Sequence, residues 1–290
     1  MSELFRFEKL GDTLGAEICD IDVSRALDDA TFEEILAAFH EHAVIVFRDQ
    51  KLTPEQQIAF SRRFGELDVN VRSRFNKPGH PEIFVVSNII ENGQPIGVTD
   101  AGRYWHTDHC YLKEPSRCSL LYALEVPRQD DGRALGDTLF ANVAAAHDAL
   151  TPQMKQRLAG CKAVNSYSYT YERKVQEFDR TPLKAENREA PPDIEHPVVR
   201  THPFTGRKCL FVNEGYTTRI VGMSAEQSEE TLQFLFSHLA KPEFQYRHQW
   251  QVGDLLLWDN CLTQHKAVFD YALPLRRRME RTTLRGCVPF

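Results

Sequence analysis

The apolar positions of this chain follow two regimes: helical spacing near the amino end, and a two-residue alternation broken by turns over most of the rest. Residues 30–42 carry Phe32, Ile35, Leu36 and Phe39 at helical spacing behind a run of aspartates suited to capping, which predicts a helix. Ala43–Phe47 (AVIVF) reads as a buried strand. Thr53-Pro54-Glu55-Gln56 has the form of a capping box with Pro in the first turn, opening a helix that stops at Gly65. From Glu82 onward the runs EIFVVSN, RCSLLYALEVP, DTLFAN, HPVVRTHP, KCLFVN, FQYRHQW, DLLLWDN and RMERTTLRG are short and β-rich. Pro, Gly, Asn and Asp divide them, the pattern of a sandwich or barrel. One further helix is expected from Ser224, opened by a Ser-x-x-Gln box. Two polar segments, 88–103 and 165–195, lack clear periodicity and are expected to act as lids. Within the second, Tyr167, Tyr169 and Tyr171 alternate, as in a lid contact or on a half-buried strand. The expected fold is mainly β with flanking helices, a single domain over 1–290.

Composition narrows the functional classes. Of 290 residues, 42% are hydrophobic and 26% charged, so a sizeable core is expected. A net charge of −6 provides no overall basic field for nucleic acid or an anionic membrane, and any anion must meet a local basic cluster. No apolar run approaches the roughly 18 residues that span a bilayer. The charged first nine positions resemble neither a signal nor a transit peptide. Seven cysteines without a C-x-x-C pair predict free thiols in a reducing cytoplasm.

Candidate chemistry begins at Tyr104-Trp105-His106-Thr107-Asp108. On a strand, His106 and Asp108 would project to one side. With a distant second His they would form the facial triad that suits Fe(II) and leaves positions open. Such triplets are common as structural features, so the C-terminal run matters more: the strand DLLLWDN is expected to deliver His265 just beyond its end. Arg276-Arg277-Arg278-Met279-Glu280-Arg281 follows. Alternation puts Arg277, Met279, Arg281 and Thr283 on one face, which Met and Thr mark as the inner one. Arg277 and Arg281 would stand ~13 Å apart, enough for two different anions. Their buried charges call for partners, which a dicarboxylate co-substrate and an anionic substrate would supply. Arg276 and Arg278 read as solvated or paired with core carboxylates. His109, His147, His196, His202, His238 and His248 read as non-ligands; Asp137 reads as a turn residue, and Cys110 as a neighbour without a catalytic base.

The LGAEI start, FRDQ-x-LTPEQQ, RFGEL, WHTD, GDTLFA, HPVVRTHPFTGRKCLFVNEGYTTRIV, HLAKPEFQYRHQW and WDN-x-x-TQH together resemble the taurine dioxygenase (TauD/TfdA) family of Fe(II)/2-oxoglutarate-dependent oxygenases nearly end to end. The resemblance implies a double-stranded β-helix (jelly-roll, cupin-like) core and a homo-oligomer, dimer or tetramer. It implies iron on His106, Asp108 and His265, with 2-oxoglutarate on Arg277 and the Thr138 hydroxyl; Arg276 is the alternative if one residue is inserted nearby. The implied reaction uses O2 and 2-oxoglutarate, releases succinate and CO2, and hydroxylates an unactivated C–H bond. Asp108 stands where halogenating relatives carry a small residue, so hydroxylation is expected.

Arg281 matches the arginine that grips taurine's sulfonate, which implies a small sulfonate or carboxylate substrate. Asn70, Ser73 and Gly102 replace a His, a Tyr and an Asn of the taurine-cleaving members, which argues against taurine itself. Tyr104, Asn70 and Tyr171 are the candidate substrate-facing residues. A second reading keeps the cofactors but places the enzyme in specialised biosynthesis (hydroxylation, desaturation or epoxidation of an acid). A third makes the chain a non-catalytic binding protein.

Overall fold

A computed structural model of the protein describes residues 5–69, 74–178 and 190–290. Its centre is a pair of sheets. The larger has eight strands in the spatial order Phe7–Lys9, Ala16–Ile18, Val44–Phe47, Leu255–Asp259, Cys118–Glu125, Arg278–Thr283, His80–Ser87 and Asn76–Lys77. The smaller has Gln245–His248, Thr138–Asn142 and Thr263–Ala267. Chain-distant strands lie side by side in both, as a double-stranded β-helix requires.

Alternation along the strands divides the core in two. From the large sheet Val44, Val46, Leu121, Ala123, Leu256, Trp258 and Met279 turn inward and meet Phe140 and Tyr246 of the small sheet. From the other face Ile45, Phe47, Leu120, Tyr122, Leu255 and Leu257 pack under two helices through Ile35, Phe39, Ile58 and Phe60. Strands buried on both faces read as unbroken apolar runs, which explains DLLLWD and AVIVF. The two helices are Asp29–His42, capped by Asp28, and Pro54–Arg62, whose Thr53/Gln56 capping box forms as expected. Ser224 and Gln227 cap the Ala225–Leu239 helix in the same way.

Two expectations are corrected, the strand option for the alternating tyrosines and the place of His265. Residues Tyr167–Phe178 form a helix rather than a strand; its polar outer positions and buried Thr170 and Lys174 conceal the helical period. The 88–103 segment contains a short hairpin, Ile90–Glu91 with Gln94–Pro95. His265 does not hang beyond the end of Leu255–Asp259; a turn at 260–262 starts a new strand, Thr263–Ala267, with His265 at its middle.

Candidate metal centre

The first two triad residues converge without the strand expected for them. His106 makes an isolated antiparallel bridge to His265, with His106 N to His265 O at 3.1 Å and the reverse at 2.9 Å. Asp108 lies in the turn that follows. His265 pairs with Phe140 in the small sheet, and Phe140 belongs to the inner core, so His265 faces inward. The outcome is close: Asp108 Oδ1 lies 3.7 Å from His106 Nε2 and 3.9 Å from His265 Nε2. All three residues are nearly buried.

The donor set fits a divalent metal in detail. His106 Nδ1 is 3.0 Å from both the Tyr104 and the His265 carbonyl oxygens. Carbonyls only accept, so Nδ1 carries a proton and Nε2 is the nitrogen turned to the cluster. Burial, reinforced by His106, pushes the His265 imidazole well below its ordinary value, which favours its neutral form. Burial alone would raise the Asp108 carboxyl, but Arg281 and the histidines outweigh it and hold the group well below the usual carboxylate range. Two imidazoles and one carboxylate on one side of an ion are the facial set of non-haem Fe(II) sites. Asp108 Oδ2 is already committed, accepting from Ser119 Oγ at 2.7 Å. Ser119 in turn accepts from Asn260 Nδ2 at 3.1 Å, and Asn260 Oδ1 accepts from Trp258 Nε1 at 3.0 Å. Oδ1 is the oxygen that faces both histidines.

The arginine strand lies alongside. Arg281 Nη1 donates to Asp108 Oδ1 at 3.0 Å, and Met279 lies between Arg281 and Arg277 on the inner face. Arg277 is 5% exposed and its Nε has no hydrogen-bond partner among the described residues, whereas Arg276 is solvated and ion-paired with Glu125 at 2.9 Å. Arg277 lies 5.9 Å from the Tyr271 ring and 6.0 Å from that of Trp250, whose Nε1 donates to Thr138 Oγ1 at 3.0 Å. Arg277 and Thr138 thus both border Trp250. Gly136, at φ +75°, leaves Arg277 room, since a Cβ there would stand 2.8 Å from Tyr271 and 3.1 Å from Arg277.

The remaining candidates divide. Tyr104 donates its hydroxyl to Glu177 Oε2 at 2.6 Å, and the Arg173 guanidinium lies 4.0 Å over its ring, so it anchors the Tyr167–Phe178 helix. Tyr171 lines a cleft of about 400 Å³ with Arg74, Phe75, Asp100, Arg103 and Phe178. Asn70 and Ser73 lie outside the described residues. Gly102 is at φ +80°, and a Cβ there would meet Ala267 at 3.1 Å and the His106 ring at 3.7 Å; side chains are therefore crowded out beside the metal cluster. Cys110 is buried, accepts from Asn213 Nδ2 at 3.4 Å, and burial pushes its thiol up to about 12. Asp137 is more than a turn residue, since it accepts from Arg247 Nε at 2.6 Å. His202, Asp259 and Cys261 also cluster, but His202 Nδ1 accepts from the Phe204 and Thr205 amides (3.2 and 3.0 Å). Nε2 must then carry the proton it shares with Asp259 at 2.9 Å, so the pair is structural.

Sequence reasoning missed Ser119, Asn260, Trp250 and an aromatic wall. Tyr216 lies 6.2 Å from the His106 ring, Tyr111 lies 5.0 Å from Tyr216, and Tyr167 lies 5.0 Å from Tyr111. Tyr111, three positions after Asp108, was the nearest to being legible.

Comparison with known proteins shows the family. Residues 6–283 match the family model described as taurine catabolism dioxygenase TauD, TfdA family. Pentalenolactone F synthase of Streptomyces avermitilis is 34% identical, over 93% of this chain and 90% of the relative. The alpha-ketoglutarate-dependent 2,4-dichlorophenoxyacetate dioxygenase of Cupriavidus pinatubonensis is 33% identical, over 92% of this chain and 93% of the relative. Among solved structures, AAD-2 in complex with Mn(II) and N-oxalylglycine superposes with a TM-score of 0.79 at 28% identity, covering 98% of both chains. The chain belongs to the TauD/TfdA family of dioxygenases.

Proposed function

We propose that the protein is an Fe(II)- and 2-oxoglutarate-dependent dioxygenase that hydroxylates a small organic anion, with the metal on His106 Nε2, Asp108 Oδ1 and His265 Nε2. The observation that carries the reading is the cluster of two imidazoles and a carboxylate beside two inward arginines of one strand. Fe(II) with 2-oxoglutarate and O2 supplies the oxidising power, releasing succinate and CO2.

The residues bind and orient. Arg277, buried and desolvated, holds the distal carboxylate of 2-oxoglutarate as a fixed cation, with the Thr138 hydroxyl as a second polar contact. Arg281 takes the anionic head of the substrate, exchanging its bond to Asp108 for one to a sulfonate or carboxylate. Tyr111, Tyr167 and Tyr216 form an apolar wall beside His106 that excludes water and positions the substrate body. Tyr104 holds the Tyr167–Phe178 helix, and Tyr171, on its cleft with Arg74 and Arg103, and Asn70 remain candidate substrate contacts on sequence grounds.

A second reading, oxidation of a larger acid in specialised biosynthesis, is favoured by the aromatic wall and by the likeness to pentalenolactone F synthase. We further propose that the chain works as one catalytic unit, in the cytoplasm and as a dimer or tetramer. Light scattering of the purified protein tests the last point. No helix among the described residues is long and apolar enough to cross a membrane.

The test is succinate formation from 2-oxoglutarate with Fe(II) and ascorbate, across small sulfonates, sulfate esters, aryloxy acids and amino acids. One substrate class should stimulate turnover, His106→Ala should abolish it, and Arg281→Ala should raise the KM of that substrate with a smaller effect on that of 2-oxoglutarate. Turnover that no anion stimulates, or that survives His106→Ala, overturns the proposal.

A further inference from the structure

We infer that His109 is a positioning residue that clamps the turn bearing Asp108 to the strand bearing Arg281. The inference rests on the metal-centre reading above. His109 has φ 56°, in the left-handed region that side-chain-bearing residues avoid. That conformation lets the chain double back directly after Asp108: Leu112 N reaches His109 O at 2.8 Å, and Ser116 N reaches Asp108 O at 3.3 Å. Gly or Asn is the ordinary choice for such a position, and a histidine there calls for a reason in its side chain.

The side chain supplies one. His109 Nδ1 lies 3.1 Å from Asp68 Oδ2 and 2.9 Å from Ser116 Oγ. An ionised carboxylate only accepts, so Nδ1 carries the proton and shares it between the two. The same bond lowers the Asp68 carboxyl below its ordinary value. Asp68 is itself fixed, because its amide donates to Thr283 O at 2.8 Å and neighbouring Leu67 bridges Leu284. Thr283 lies two residues past Arg281 on one strand, and Arg281 Nη1 reaches Asp108 Oδ1 at 3.0 Å.

These links close a ring. On the inside the metal carboxylate meets the substrate arginine; on the outside His109 and Asp68 tie the same two elements together. The clamp thereby fixes where Asp108 Oδ1 stands relative to both the metal and the anion-binding head. Ser119 controls the rotation of the Asp108 carboxylate, and His109 controls the backbone that carries it. A Ser-His-Asp nucleophile is excluded, because both partners contend for one ring nitrogen and Ser116 is buried.

The test is calorimetric titration with Mn(II) alone of the wild type, His109→Gly, Asp68→Asn and His106→Ala, beside thermal melts of the metal-free proteins. His109→Gly accepts the left-handed backbone without penalty, so it removes the clamp and leaves the turn intact. Outer groups that orient metal ligands typically matter 10–100-fold in metal affinity. His109→Gly and Asp68→Asn are each expected to weaken Mn(II) binding about tenfold, and their double variant no more than either alone. Asp68→Asn is nearly isosteric and decides the matter should His109→Gly fail to fold. Less than threefold weakening in a folded single variant, even with a lowered melting temperature, makes the contact merely structural and overturns the inference. A wild type that binds Mn(II) no more tightly than His106→Ala overturns the metal-centre reading instead.

Discussion

The Asp108 carboxylate shows how much of a metal site lies in residues that never touch the ion. Oδ2 is held by Ser119 and Oδ1 by Arg281, and no spacing argument points from Asp108 to either. Ser119 faces inward only because Cys118–Glu125 pairs with Leu255–Asp259 and Arg278–Thr283 in this register, with Trp258 and Thr283 opposite it. Register between chain-distant strands is not written in local sequence, so Ser119 was illegible. The alternation of Arg277, Met279 and Arg281 is local, and it was read correctly. Ser119→Ala removes a charge-assisted hydrogen bond of about 1.5–3 kcal/mol and frees the carboxylate to rotate. Metal affinity should fall about 10–100-fold, measured by Mn(II) titration, and the melting temperature of the metal-free protein should drop by several degrees, about what the lost bond implies.

At the scale of elements, helices with explicit start signals were readable: Thr53 with Gln56 and Ser224 with Gln227 both form their capping boxes. Tyr167–Phe178 opens on a single capping serine, Ser166, whose hydroxyl accepts from Tyr169 N at 3.2 Å, without the Gln or Glu that completes a box. It lacks the acidic first turn of a standard helix, and much of its further support comes from outside. Tyr104 donates to Glu177, Arg173 Nη1 donates to Glu214 O at 3.1 Å, and Lys174 Nζ donates to Asp100 O at 3.0 Å. Tertiary contacts therefore stabilise this helix more than its own sequence does. Tyr104→Phe should cost at most about 1 kcal/mol globally. Amide exchange of residues 170–178 should quicken while that of the sheets stays unchanged. If Tyr104 contacted substrate as first expected, the exchange would be unaltered and the substrate KM would rise instead.

Over the whole molecule, the apolar runs, their turns and the paired boxes made the β-rich fold and its reaction class legible, because each depends on short-range pattern or on a long block of motif. Closure of two sheets onto one another, which brings residue 106 to residue 265, depends on pairings across more than half the chain. Burial in that closed fold has a consequence for pH. His265, His248, His196, His40, His42 and His147 are all held below their ordinary values, in each case chiefly by burial. The unfolded chain protonates these groups near pH ~6.5, before the folded one does, so stability falls as pH drops below that value. The depressed Asp108 acts in the same direction at lower pH, through the ordinary carboxylate range. The melting temperature of the metal-free protein should therefore decline steadily from pH 7.5 to 5.5; a flat or rising profile would contradict these burial assignments. The central claim, a triad that presents Fe(II) to 2-oxoglutarate held by Arg277, is tested most directly by anaerobic titration of the Fe(II)-loaded protein with 2-oxoglutarate. The readout is the visible charge-transfer absorption of the chelate. The wild type and Arg276→Ala should saturate alike, Arg277→Ala should need at least tenfold more 2-oxoglutarate, and His265→Ala should give no band. A band unaffected by His265→Ala, or more sensitive to Arg276→Ala than to Arg277→Ala, would contradict the account.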